Sequence, residues 1–94
     1  MDKGVAAQKK RGRYSFDCKV SAPAGALTNA ERSDLAEYAK SLVVRAGSYE
    51  GAAGALATRC RGRGLVKVGE CYSIDLPDYG RGVSVIVLVK EEHK

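Results

Sequence analysis

Residues 83–89 read Val83-Ser84-Val85-Ile86-Val87-Leu88-Val89. Val83, Val85, Val87 and Val89 recur with a period of two, the repeat of a β-strand that lays one face on a core. The intervening positions bring Ile86 and Leu88, so the second face is apolar too. Such a strand is central in its sheet, or its second face is covered by a partner chain.

Just upstream, Pro77-Asp78-Tyr79-Gly80-Arg81-Gly82 has turn composition. Before it, Val66, Val68, Tyr72, Ile74 and Leu76 share one alternating phase, interrupted by Glu70. This predicts a second strand that pairs with 83–89 as an antiparallel hairpin. Near the start of the chain, Tyr14, Phe16, Cys18 and Val20 alternate with Ser15, Asp17, Lys19 and Ser21. That is a half-buried strand, ended by Ala22-Pro23-Ala24-Gly25.

Between these strands the period lengthens. Thr28-Asn29-Ala30-Glu31 has the spacing of a capping box, in which the Thr28 hydroxyl and the Glu31 carboxylate each satisfy the other's backbone N–H. Leu35, Ala39, Leu42 and Ala46 follow at helical spacing, and Gly47 is a plausible stop. Residues 42–45 also read as a short strand, which would split this helix. Ser48 caps a second helix whose Tyr49, Ala52, Ala53, Leu56 and Cys60 share a face. Gly51 and Gly54 weaken that helix and point to a closely packed neighbouring backbone. The helix is expected to fail at Gly62 or Gly64.

The predicted fold is a small single α+β domain. Its order is β-α-α-β-β, or β-α-β-α-β-β if 42–45 is extended, with the helices packed on one face of a mostly antiparallel sheet. The domain spans 13–90, residues 1–12 form a disordered basic arm, and 91–94 are a frayed tail. The second layout, with its basic loop and long C-terminal hairpin, resembles the architecture of Alba-type chromatin proteins in element order and hairpin position.

The charge is segregated. Residues 1–13 hold Lys3, Lys9, Lys10, Arg11 and Arg13 against Asp2 alone, and residues 51–69 hold Arg59, Arg61, Arg63 and Lys67 with no acid. The net charge of the chain is +5, so the remainder is mildly acidic. Two basic blocks on an acidic body point to a polyanionic partner. In Arg59-Cys60-Arg61-Gly62-Arg63-Gly64 the arginines offer planar donor forks that fit phosphate oxygens, and the glycines let a backbone approach closely. The alternative is a basic helix end that complements its own dipole, followed by a flexible turn. The arm Lys9-Lys10-Arg11-Gly12-Arg13 either lies along a nucleic-acid groove or is a solubilising tail. Arm and loop both flank the strand and hairpin region, which allows them to converge on one surface.

Among the aromatics, Tyr14, Phe16 and Tyr72 follow the apolar strand phase and read as core. Tyr79, in a turn beside Arg81, is the better candidate to stack on a base. Arg81 at the hairpin tip adds a groove contact.

Enzyme classes find little support. His93 is the sole histidine and lies in the tail, so no Cys–His or Ser–His pair forms in the body. No dinucleotide or phosphate-loop motif is present, and no cofactor, metal or small-molecule substrate is expected. Three cysteines, Cys18, Cys60 and Cys71, without CxxC spacing argue for a reducing compartment. Residues 1–13 lack the apolar run of a secretion signal, and Val85–Val89 is too short to span a bilayer. These features predict a cytoplasmic protein with no membrane partner.

The expectation is therefore a non-catalytic nucleic-acid-binding protein, for DNA or RNA, of low sequence specificity, dimeric through the Val83–Val89 strand. Its contacts would be Lys9, Lys10, Arg11, Arg13, Arg59, Arg61, Arg63, Lys67, Tyr79 and Arg81. The alternatives are a protein-interaction module, such as a phage-type inhibitor of a host nucleic-acid machine (an anti-CRISPR for example), and a structural subunit of an assembly. Glu31, Asp34 and Glu37 would then dock a basic partner, or the doubly apolar strand would dock an apolar one.

Overall fold

The computed structural model describes residues 12–92. The order is β1 (Gly12–Ser21), α1 (Asn29–Ser41), β2 (Val44–Ala46), α2 (Tyr49–Arg59), β3 (Arg63–Val68), β4 (Cys71–Asp75), a 3-10 turn (Pro77–Tyr79) and β5 (Ser84–Glu92). The strands form one antiparallel sheet in the order β2-β1-β5-β4-β3. Both helices cover one face, as the α+β reading requires.

The centre of the sheet is the segment that is apolar on both sides. β5 pairs with β1 from Ser21↔Ser84 to Arg13↔Glu92 and with β4 from Asp75↔Ser84 to Tyr72↔Val87. Val83, Val85 and Val87 are fully buried with Ile74, Leu76 and Leu56. Each such side chain contributes about 1.5–3 kcal/mol by leaving water. Tyr14, Phe16 and Tyr72 belong to this core. Ile86 and Leu88 point to the helix-free face.

The helix termini follow the sequence signals. Glu31 N–H donates to Thr28 Oγ1 (3.0 Å) and Thr28 N–H donates to Glu31 Oε1 (2.8 Å), the reciprocal capping box. Gly51 N–H donates to Ser48 Oγ (3.0 Å). α1 stops at Ser41, and 44–46 pairs with β1, so the extended reading of this segment holds.

Four local expectations are corrected. The segment 66–76 is two strands, not one. Gly69, at φ 64, opens a two-residue turn with Glu70 and folds β3 back on β4. Glycine at the first turn position is the signature of a two-residue hairpin turn. The turn inverts the alternation, so Val68 lies opposite Cys71 and Val66 opposite Ser73, on the helix-free face. Val66 and Val68 are 60% and 58% exposed, whereas Ile74 and Leu76 are buried. Second, α2 ends before either expected glycine, at Arg59 with Cys60 as its cap. Third, Gly54 has no atom within 4 Å of where a Cβ would sit, so no backbone crosses there. Fourth, β5 continues through Glu92, past the boundary expected at residue 90.

Candidate nucleic-acid interface

The end of α2 sets the arginine geometry. Arg61 N–H donates to Thr58 O (3.2 Å) and Gly62 N–H to Ala57 O (2.7 Å), the bond pair of a Schellman motif. That motif needs a left-handed residue just past the cap, normally glycine. Here the position is Arg61, at φ 59, the one non-glycine of positive φ among the described residues. Gly62 follows it for a different reason. A Cβ there would sit 2.3 Å from Ile74 Cγ2 and 3.3 Å from both Asp75 O and Leu76 Cδ2. The corner is thus pressed against the β4 end, and the chain leaves it as Arg63, the first residue of β3. Gly64, at φ 73, lies in the register shift between Arg63 and Leu65.

The 76–83 loop closes over the same end. Leu76 N–H donates to Val83 O (2.8 Å), which ties the base of the loop. Gly82, at φ 78, meets the Pro23 turn so closely that a Cβ would be 2.9 Å from Pro23 Cγ. Arg81 is therefore carried beside that turn. Tyr79 is 40% exposed. Burial raises its phenol above the ordinary 10.0, Cys60 and Tyr38 add to the rise, and the Arg61 guanidinium opposes it.

Arg59, Arg61, Arg63 and Arg81 thus occupy one end of the sheet, and all are exposed. Among the described residues no carboxylate lies within 4.0 Å of their guanidinium groups; the ion pair formed is Lys90 Nζ to Asp17 Oδ2, at 3.8 Å. Arg63 stands across from Asp75 in register. On the α1 side the sign changes. Glu31, Asp34 and Asp78 line a cleft of about 380 Å³ with Tyr38 and Tyr79. The negative charge of this cleft thus borders the arginines on the α1 side and leaves the α2–β3 side basic.

The remaining sequence-derived positions lie apart. Lys67 is across from Tyr72, on the helix side of the edge strand, and shares a groove with Tyr49 and Glu70. Arg13 pairs with Glu92 at the opposite end of the sheet. The β1 ladder from Arg13 to Ser21 spans eight steps, about 27 Å at the usual strand rise. Within one copy, Arg13 and the arginine corner therefore lie at opposite ends. Lys9, Lys10 and Arg11 lie outside the described residues.

Two arginines take roles that charge counting misses. Arg45 stands directly across from Arg13, a pairing visible only once the β1–β2 register is known. Arg32 donates through Nη1 to Val20 O (3.4 Å) and through Nη2 to Ala22 O (3.2 Å), which ties α1 to the end of β1. Burial pushes the Cys18 thiol up to about 11, and burial also raises that of Cys60. Among the described residues no group of three His, Cys, Asp or Glu side chains is placed to hold a metal, and no helix is long and apolar enough to cross a membrane. No protein-family model, curated protein or solved structure matches the chain. The observed order also has one strand more than the layout that resembles Alba-type proteins.

Proposed function

We propose that this chain is a non-catalytic nucleic-acid-binding protein that grips the phosphate backbone with little regard to sequence. The observation that supports this is the gathering of Arg59, Arg61, Arg63 and Arg81 at one end of the sheet, exposed and without a carboxylate within 4.0 Å among the described residues. Guanidinium forks on a fixed corner suit bidentate phosphate contacts. Tyr79, exposed in the loop that carries Arg81, offers a ring to an unstacked base. The arm residues Lys9, Lys10, Arg11 and Arg13 extend the footprint, and Lys67 is peripheral to it.

The test is fluorescence anisotropy with labelled duplex DNA and single-stranded RNA. The four corner arginines alone contribute about −3.6 to the log–log salt slope on duplex DNA, so affinity falls at least about 150-fold between 50 and 200 mM salt, and arm contacts steepen it. Replacing Arg61, Arg63 and Arg81 by Ala makes the slope shallower by about 2.7. An absence of binding at 50 mM salt overturns the reading.

A second reading is favoured by the cleft of Glu31, Asp34, Asp78, Tyr38 and Tyr79. An acidic, tyrosine-walled groove suits a basic protein segment, as in an interaction module or inhibitor. In that case an Asp34→Lys substitution abolishes partner capture and leaves nucleic-acid affinity unreduced.

A further inference from the structure

The helix-free face of the sheet carries an apolar patch of defined pattern. Residues directly opposite in an antiparallel ladder share a face. One row across the strands holds Asp17 paired with Leu88, and Val68 paired with Cys71. The next row holds Lys19, Ile86, Ser73 and Val66, each paired with its neighbour. Asp17, Lys19, Cys71, Ile86 and Leu88 line one shallow depression of about 270 Å³. Val66, Val68 and Leu88 are 60%, 58% and 37% exposed. Neither helix reaches this side.

We infer that this face is an isologous interface with a second copy of the chain, packed sheet on sheet. The argument is the self-complementarity of the two rows. A two-fold axis lying between them, across the strands, exchanges one row for the other. Asp17 then faces the second copy's Lys19, Leu88 faces its Ile86, and Val68 faces its Val66. Each contact occurs twice, as a closed dimer requires. Apolar groups meet apolar groups, and the charges that border the patch meet their opposites. The packing is the aligned arrangement of two sheets about 10 Å apart. Addition at the β3 edge is disfavoured, because that strand has a register shift at Gly64 and a lysine, Lys67, on its helix side, and the other edge, β2, is three residues long. These features blunt edge pairing.

The inference also bears on the basic ends. The same two-fold sets Arg13 of one copy at the end where the second copy carries Arg81. The separation of arm and loop within one copy is thereby removed between copies. This last consequence rests on the nucleic-acid reading; the dimer itself does not.

Sedimentation equilibrium of the full chain tests it, over about 1–200 µM, a range set by the modest size of the patch. The expected mass rises with concentration from 10.0 kDa toward twice that value. Leu88→Asp, at an exposed position, holds the chain monomeric with its circular dichroism unchanged. Asp17→Lys or Lys19→Asp alone weakens association at least tenfold, and the double exchange restores it. A monomer at every concentration overturns the inference. So does a dimer indifferent to Leu88→Asp, or a double exchange that fails to restore it. A monomer that still binds DNA leaves the nucleic-acid reading standing.

Discussion

Replacing Arg61 by glycine is expected to make the protein more stable. Arg61 holds φ 59 in the position of the helix-terminating motif that glycine ordinarily fills. A side chain with a Cβ loses roughly 1–2 kcal/mol in that conformation. Glycine frees the unfolded chain, which takes back about 0.4–1 kcal/mol. The net gain is about 0.5–1 kcal/mol, so the melting temperature of a domain this size rises by roughly 2–8 °C. The assay is thermal unfolding followed by circular dichroism, with Arg61→Ala as the control. Alanine removes the same charge but keeps the Cβ, so it brings no comparable gain. Both variants lose about 0.9 of the salt slope in DNA binding, because each deletes one phosphate contact. Gly and Ala variants that melt together refute the backbone argument, and so does a Gly variant that melts below the wild type.

Three further outcomes follow from the geometry. Gly62→Ala drives a methyl group into Ile74 Cγ2, which is fully buried and β-branched, and overpacking of this kind costs about 1–3 kcal/mol, read as a lowered urea midpoint. Gly54→Ala meets open space inside α2 and is expected to raise stability by about 0.5–1 kcal/mol in the same assay. Because Cys18 holds its proton to about 11 against an ordinary 9.0, through burial first and Cys60 second, the unfolded chain releases that proton earlier than the folded one. Stability is therefore intact below pH 9 and declines between about 9 and 11, and urea titrations across that range show a shallower decline for Cys18→Ala than for the wild type.

Much of the fold was legible because its signals are local. The alternation from Tyr14 to Val20, the box at Thr28 and Glu31, the cap at Ser48 and the doubly apolar run at 83–89 each act within a few residues. The β3–β4 hairpin was hidden by arithmetic. Val66, Val68, Tyr72 and Ile74 have the same parity, and a continuous strand would put them on one face. A two-residue turn reverses that parity, and Gly69-Glu70 was the only mark of it in the sequence. The end of α2 was misplaced because glycine was expected where arginine takes the left-handed position. Of the site, the corner arginines were legible from composition. The distance to Arg13, the pairing of Arg13 with Arg45 and the acids beside Tyr79 depend on register and on loop packing, which no local pattern encodes.

Among the described residues the longest ladder joins β1 to β5, elements far apart along the chain. Loop closure on that scale must precede the central pairing, which favours slow, late-committing folding. A nascent chain that lacks residues 84–92 holds β1 and α1 with no middle strand to receive them. The polypeptide therefore cannot complete its core in step with translation. Until residues 84–92 emerge, the apolar positions of β1 and β4 have no strand between them to pair with, and that interval is when the chain is most exposed to misassembly.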